Sequence, residues 1–258
     1  SWLARMKKKN DYVYDHSIAS SVWAMIFAKH LNLEKADIEM IGLGAIFMDV
    51  GKTKIPNGLL EKQGTLTSEE AKLMRQHVEF GVEICQRLGN VDPRVLQIVE
   101  SHHERFNGTG YPAGLKGNDI PIFARIGGIV DAYDAMTTPR PYAEPMSTAD
   151  AMRHLNDLAG VEFQAEMVEQ FTQAVGVFPV GTLVELSSGE VAVIIAQNRV
   201  RRLRPLVMVL TDSDKTLLKR FSQLDLRNQL TDADGDSLWI KSGLPTGAYG
   251  IDASEYFL

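Results

Sequence analysis

The spacing of apolar residues changes once along this chain, and that change limits the folds open to it. From about residue 17 to 178, apolar side chains recur at helical spacing, as in Ile18, Val22, Met25 and Ile26 and again in Ile38, Ile41, Leu43 and Ile46. After Pro179 the pattern gives way to short β-branched runs at 182–186, 191–195 and 206–210, with Ser187-Ser188-Gly189-Glu190 reading as a hairpin turn. The expectation is an all-α domain over 1–178, a small antiparallel β extension over 179–230 and an irregular tail over 231–258. Three helix starts are marked by short oxygen side chains that can cap exposed N–H groups: Thr67-Ser68-Glu69-Glu70, Asp92-Pro93 and Ser147-Thr148-Ala149-Asp150.

Charge and composition exclude several classes. With 27 basic and 33 acidic residues the net charge is -6, which argues against a nucleic-acid polymer as partner but leaves room for a local phosphate pocket. Cys85 is the single cysteine, so neither an intrachain disulfide nor a cysteine-rich zinc site can form, and a reducing, cytoplasmic setting is expected. No apolar run reaches the roughly 18 residues that span a bilayer, and the basic start lacks the apolar core of a secretory signal. A chain opening on Ser1 reads as a piece of a longer protein, with an upstream regulatory or sensor domain expected and a homo-oligomer compatible. Asp232-Ala233-Asp234-Gly235-Asp236 has the outline of a calcium loop, but Ser237 stands where glycine is needed and Gly243 where a bidentate glutamate belongs. An acidic surface turn accounts for it better.

The chemistry lies in the helical part. His102 and His103 are adjacent, so they cannot share one helix face, and a pair of this kind suits a crowded metal site at a helix end. His16, Asp49, His77 and Asp131 complete a set of imidazoles and carboxylates suited to first-row transition metals. Taken singly, each histidine reads as a surface or hydrogen-bonded core residue, since the set has no local ligand spacing. Lys52 follows Asp49 by three residues, near enough to meet a phosphate held at a metal; alone it would be a solvated lysine at a helix C-terminus. Arg140 beside Tyr142 pairs a planar guanidinium with an aromatic ring, suited to a phosphate and a base.

Taken in order, His16-Ser17, Asp49-Val50-Gly51-Lys52, His77, His102-His103-Glu104-Arg105, Gly110-Tyr111-Pro112, Ile120-Pro121, Ala124-Arg125-Ile126, Asp131 to Thr137 and Arg140-Pro141-Tyr142 resemble the HD-GYP family of cyclic di-GMP phosphodiesterases. The resemblance implies an HD-type helical bundle with a metal centre in its core. It implies two divalent ions, manganese or iron, with a single ion as the alternative. One would take His16, Asp49 and Asp131; the other would share Asp49 and add His77, His102 and His103. It also implies hydrolysis of cyclic di-GMP to pGpG as the first product, with GMP as the alternative end product, and with Asp49 and Lys52 in the catalytic machinery and Lys52, Tyr111, Asp134 and Arg140 on the substrate. For Tyr111, bracing the turn and stacking on guanine remain equal alternatives.

One departure matters. Where the family name calls for His-Asp, this chain has Met48-Asp49, and a neutral thioether is a poor substitute for imidazole on a hard divalent ion. Either His16, Asp49, Asp131 and solvent still hold the first ion and the chain is an enzyme, or that ion is lost and the chain is a weak or inactive cyclic di-GMP receptor or regulatory module. The rest of the machinery favours the enzyme.

Overall fold

Capping chemistry written into the sequence sets the helix starts. Thr67 and Glu70 form a reciprocal capping box, the Asp92 side chain accepts from Arg94 N–H with Pro93 in the first turn, and Ser147 Oγ accepts from Asp150 N–H. All three lie where the sequence places them. The computed structural model describes residues 2–139, 144–176, 178–198, 201 and 203–256.

The helices are α1 (Trp2–Lys9), α2 (Asp11–His30), α3 (Lys35–Phe47), α4 (Asn57–Leu60), α5 (Ser68–Arg75), α6 (His77–Leu88), α7 (Pro93–Ser101), α8 (Ile122–Thr137), α9 (Thr148–Asp157) and α10 (Ala165–Val175). A 3-10 turn, Val50–Lys54, follows α3. They group into two compact units: a helical one, chiefly 2–136 and 155–174, and a second with 145–154 and 175–256.

In the helical unit the aromatic core is built by α2, α8 and α10. Phe27 meets Phe171 edge-on at 5.2 Å, Phe171 meets Tyr133 at 5.2 Å, and Tyr133 meets Trp23 at 5.4 Å. Each such pair contributes on the order of 1 kcal/mol beyond its buried area. The periodicity that identifies α2 does not identify its buried face. Ile18, Val22, Met25 and Ile26 are exposed, whereas His16, Ser17, Ser20, Ser21, Ala24, Phe27 and Ala28 are buried. Small and polar residues face inward because the backbone of α2 approaches its neighbours closely and delivers His16 to the interior.

The second unit carries a single antiparallel sheet with β1 (Leu183–Leu186), β2 (Val191–Ala196), β3 (Leu206–Thr211), β4 (Leu217–Asp225) and β5 (Ile240–Gly243) in the order β4-β3-β2-β1-β5. The expected hairpin turn is present: Gly189 takes φ +99 and its N–H donates to Leu186 O at 2.9 Å. Alternate residues of β1 and β2 feed two apolar clusters, Val184, Ala192 and Ile194 in one and Leu183, Val191 and Val193 in the other. Both faces are therefore covered, which is why these strands read as continuous apolar runs.

Two expectations are corrected here. Residues 231–258 are not an irregular tail: β5 pairs with β1, and Ile251 completes one of the apolar clusters. Ile240-Lys241-Ser242-Gly243 carries no strand signal because its pairing rests on backbone hydrogen bonds, which are independent of side-chain type. The boundary at 178 also shifts, since residues 145–154 group with the sheet; a methyl placed on Gly243 would stand 3.7 Å from both Ser147 and Ala149.

Candidate metal centre

Five chain segments meet in the helical unit. His16 comes from α2, Asp49 from the junction between α3 and the 3-10 turn, His77 from the first position of α6, His102 and His103 from the end of α7, and Asp131 from α8. The adjacent histidines fall just past the last residue of α7, so both rings turn inward without sharing a helix face. Their centroids are 4.1 Å apart, and His103 lies 5.1 Å from His77.

These residues form two groups that could each hold an ion, Asp49 with His77, His102 and His103, and Asp49 with His16 and Asp131, the candidate ligand atoms of each lying within 4.8 Å of one another. Asp49 belongs to both. Its Oδ1 faces His77 Nε2 at 3.4 Å and His102 Nε2 at 4.0 Å, while its Oδ2 faces His16 Nε2 at 3.6 Å and Lys52 Nζ at 2.6 Å. One carboxylate thus offers an oxygen to either group, the arrangement expected of a bridging ligand.

Hydrogen bonding shows that the donor set suits a metal. Asp49 Oδ1, His77 Nε2 and His102 Nε2 are buried and, among the described residues, have no hydrogen-bond partner. Buried polar atoms left in that condition cost on the order of 1–3 kcal/mol each. The other ring nitrogens are engaged: His77 Nδ1 donates to Met74 O at 2.7 Å and His102 Nδ1 to Ile98 O at 3.0 Å. A ring N–H held by a backbone carbonyl leaves the Nε2 lone pair directed at the site, as in ligating histidines generally. Histidine nitrogens and carboxylate oxygens, with no thiolate, suit a divalent first-row ion.

Asp134, expected on the substrate, lies elsewhere. It is buried and its Oδ2 is 2.7 Å from His16 Nδ1, while His16 Nε2 faces Asp131 Oδ1 at 3.0 Å. Asp134 therefore orients His16 from behind, because a carboxylate committed to a buried imidazole cannot also face a ligand across it. Asp134→Ala is expected to weaken manganese binding about 10–100-fold, the usual cost of losing such a support. Titration calorimetry on protein of unchanged helicity checks this, and unaltered affinity would refute it.

Lys52 stands at the cluster, its Nζ donating to Asp49 Oδ2 at 2.6 Å. Tyr111 is packed against His103 with ring centroids 4.6 Å apart and carries the Arg75 guanidinium 4.9 Å from its centroid. The ring thus lies between the histidine pair and Arg75 of α5. Arg140 lies outside the described residues. Gly110 is where glycine is required: a Cβ there would come within 2.5 Å of both His103 O and Glu104 Cα. Glu104 escaped the sequence reading. Its buried carboxylate accepts N–H groups from Ala113, Gly114 and Leu115 at 2.8, 3.1 and 2.9 Å, tying the loop after Tyr111 to the histidine pair. No local pattern marks a glutamate that serves backbone amides nine to eleven residues away.

Burial and charge divide the two groups. Burial lowers His77 to about 4 and also lowers His102 and His103, so these rings are neutral near pH 7. At His16 burial acts in the same direction but is outweighed by hydrogen bonds to Asp131 and Asp134, and its pKa rises to about 9. Burial would raise Asp49, yet Lys52 and the imidazoles hold it well below the usual carboxylate range.

These shifts set a pH optimum for the metal-free chain. An unfolded histidine titrates at 6.5; His77, depressed to about 4, loses stabilisation as pH falls from 6.5 toward 4, and His16, raised to about 9, loses it as pH rises from 6.5 toward 9. Thermal melts in chelator should peak near pH 6.5, and His16→Gln should flatten the alkaline limb. An alkaline limb unchanged in that variant would contradict the assignment.

Comparison with known proteins gives matches over both parts. The family described as HD domain matches residues 3–167, and the one described as KOW domain associated with HD domain matches residues 183–232. A cyclic di-GMP phosphodiesterase of Pseudomonas aeruginosa is 36% identical over 207 residues, covering 80% of this chain and 50% of that protein. Another, of Thermotoga maritima, is 37% identical over 145 residues, covering 56% of this chain and 39% of its own length. The chain thus spans half or less of these relatives. Among solved structures, the HDG"Y"P protein Bd1817 from Bdellovibrio bacteriovorus superposes with a TM-score of 0.51 at 23% identity, over 60% of this chain and 50% of that one, which shows a shared fold. Among the described residues no helix is long and apolar enough to cross a membrane.

Proposed function

The chain belongs to the HD domain family, and from that premise we propose that its helical unit is a metal-dependent phosphodiesterase that hydrolyses cyclic di-GMP. The observation that carries the reading is the division of Asp49 between two ligand groups, with buried ligand atoms that no hydrogen bond satisfies. The names of the relatives point to the same substrate.

Two ions, manganese or iron(II), fit the two groups: His16, Asp49 and Asp131 for one, and Asp49, His77, His102 and His103 for the other. When bound, such ions supply an activated water and neutralise charge on the phosphate. The residues of the chain do the rest. Asp49 holds the two groups in register, and Asp134 fixes the His16 ring. Lys52, partly exposed beside Asp49, places a positive charge where the attacked phosphoryl oxygens gain negative charge. Tyr111 and Glu104 hold the histidine pair and the following loop as one rigid wall. The first product is the linear dinucleotide pGpG, and GMP follows if the linear product is cut in turn.

Metal-loaded chain incubated with cyclic di-GMP, with products separated by chromatography, tests the reading; intact substrate at enzyme concentrations well above trace would refute it. Met48 is fully buried and leaves the His16 group with three residues. Met48→His is expected to raise bound metal and to increase kcat about tenfold or more, the scale on which changes around a metal ligand act. Parallel measurement of metal content and single-turnover rate checks it.

A further inference from the structure

Resting on the cyclic di-GMP reading, we propose that the cleft between the α5–α6 junction and Tyr111 is the subsite that recognises a guanine of the dinucleotide, with Arg75 and Glu79 reading the base. The cleft has a volume of about 480 Å³ and is lined by Ser68, Lys72, Arg75, Gln76, Glu79 and Tyr111 among others. It adjoins the metal centre, since Tyr111 stacks on His103 and Gln76 directly precedes His77.

Arg75, the last residue of α5, and Glu79, in the first turn of α6, stand four residues apart across a junction where Gln76 keeps helical angles, and both line this cleft. That spacing ordinarily makes an ion pair. Among the described residues neither is in one; the Arg75 guanidinium lies on the Tyr111 ring at 4.9 Å instead. A donor fork and a carboxylate thereby stand on the wall of one cleft, neither committed to the other. Guanine presents a matching edge: O6 accepts, and N1–H and N2–H₂ donate. Arg75 donates to O6 while Glu79 accepts from N1–H and N2–H₂. Adenine reverses the pattern, offering an amino group to the guanidinium and a lone pair at N1 to the carboxylate. Lys72, on the same stripe, suits the phosphate farther from the metals.

The test uses the full metal-loaded chain and compares kcat/KM for cyclic di-GMP and cyclic di-AMP. Glu79→Gln and Arg75→Gln, both at exposed positions, should each lower the guanine-over-adenine ratio about tenfold or more, the scale of one lost bidentate base contact. Metal content and melting temperature should stay at wild-type values. A wild-type ratio retained in both variants overturns the subsite while leaving the phosphodiesterase reading intact. If the wild-type chain binds cyclic di-GMP without cutting it, the same ratio is read from dissociation constants, and a loss again supports the subsite. A wild-type chain that neither binds nor cuts cyclic di-GMP overturns both.

Discussion

Asp49→Asn should remove more than about 100-fold of the activity toward cyclic di-GMP and empty both ligand groups together, because one carboxylate serves each of them. The substitution keeps the shape of the side chain and removes its charge. Neither ligand group then has the anion that both share, and the 2.6 Å contact between Asp49 and Lys52 is lost with it. Losing a charge-assisted hydrogen bond of this kind costs about 2 kcal/mol, so the metal-free protein should also melt earlier. His16→Ala provides the contrast, since it touches only the group completed by Asp131. Elemental analysis of both variants decides the matter: if Asn at position 49 retains as much metal as His16→Ala, the shared-ligand arrangement is wrong.

Gly51→Ala should be the most damaging single methyl that can be added near the site. A Cβ at Gly51 would run into the carbonyl oxygen of His77 and stand 2.6 Å from the Gly81 nitrogen. Backbone cannot swing aside as a flexible side chain can, so the turn after Asp49 and the start of α6 must separate. Overpacking of this kind costs about 3 kcal/mol, which for a chain of this size lowers Tm by roughly 6–12 °C. The same shift carries Asp49 away from His77, so weaker metal binding should accompany the lost stability. A variant that melts as the wild type does while binding metal normally would show that the contact yields at no cost.

The extent to which the sequence reveals this molecule depends on how far each signal reaches along the chain. Capping at Thr67, Asp92 and Ser147 acts across two or three residues, so the helix starts are legible. The strands of the sheet centre are legible for a related reason: both faces are buried, and the residues must all be apolar. β5 is hidden because it is held by backbone pairing to β1 across more than fifty residues. On α2 the apolar period reveals a helix yet points to its exposed face, since the interior there is reserved for His16 and for small residues.

The ligand types and their order along the chain are written in the sequence, together with Met48 in place of the expected histidine. Their convergence is not. His16 and Asp131 meet across 115 residues, and only the packing of α2 against α8 brings their side chains to 3.0 Å. Tertiary structure also decides that Asp49 divides its two oxygens between two groups, that Asp134 stands behind His16 rather than before a ligand, and that Tyr111 is occupied by His103 and Arg75. Motif residues carry chemistry by their composition, which the sequence states outright; roles depend on which atom faces which, and those distances exist only after the helices have packed.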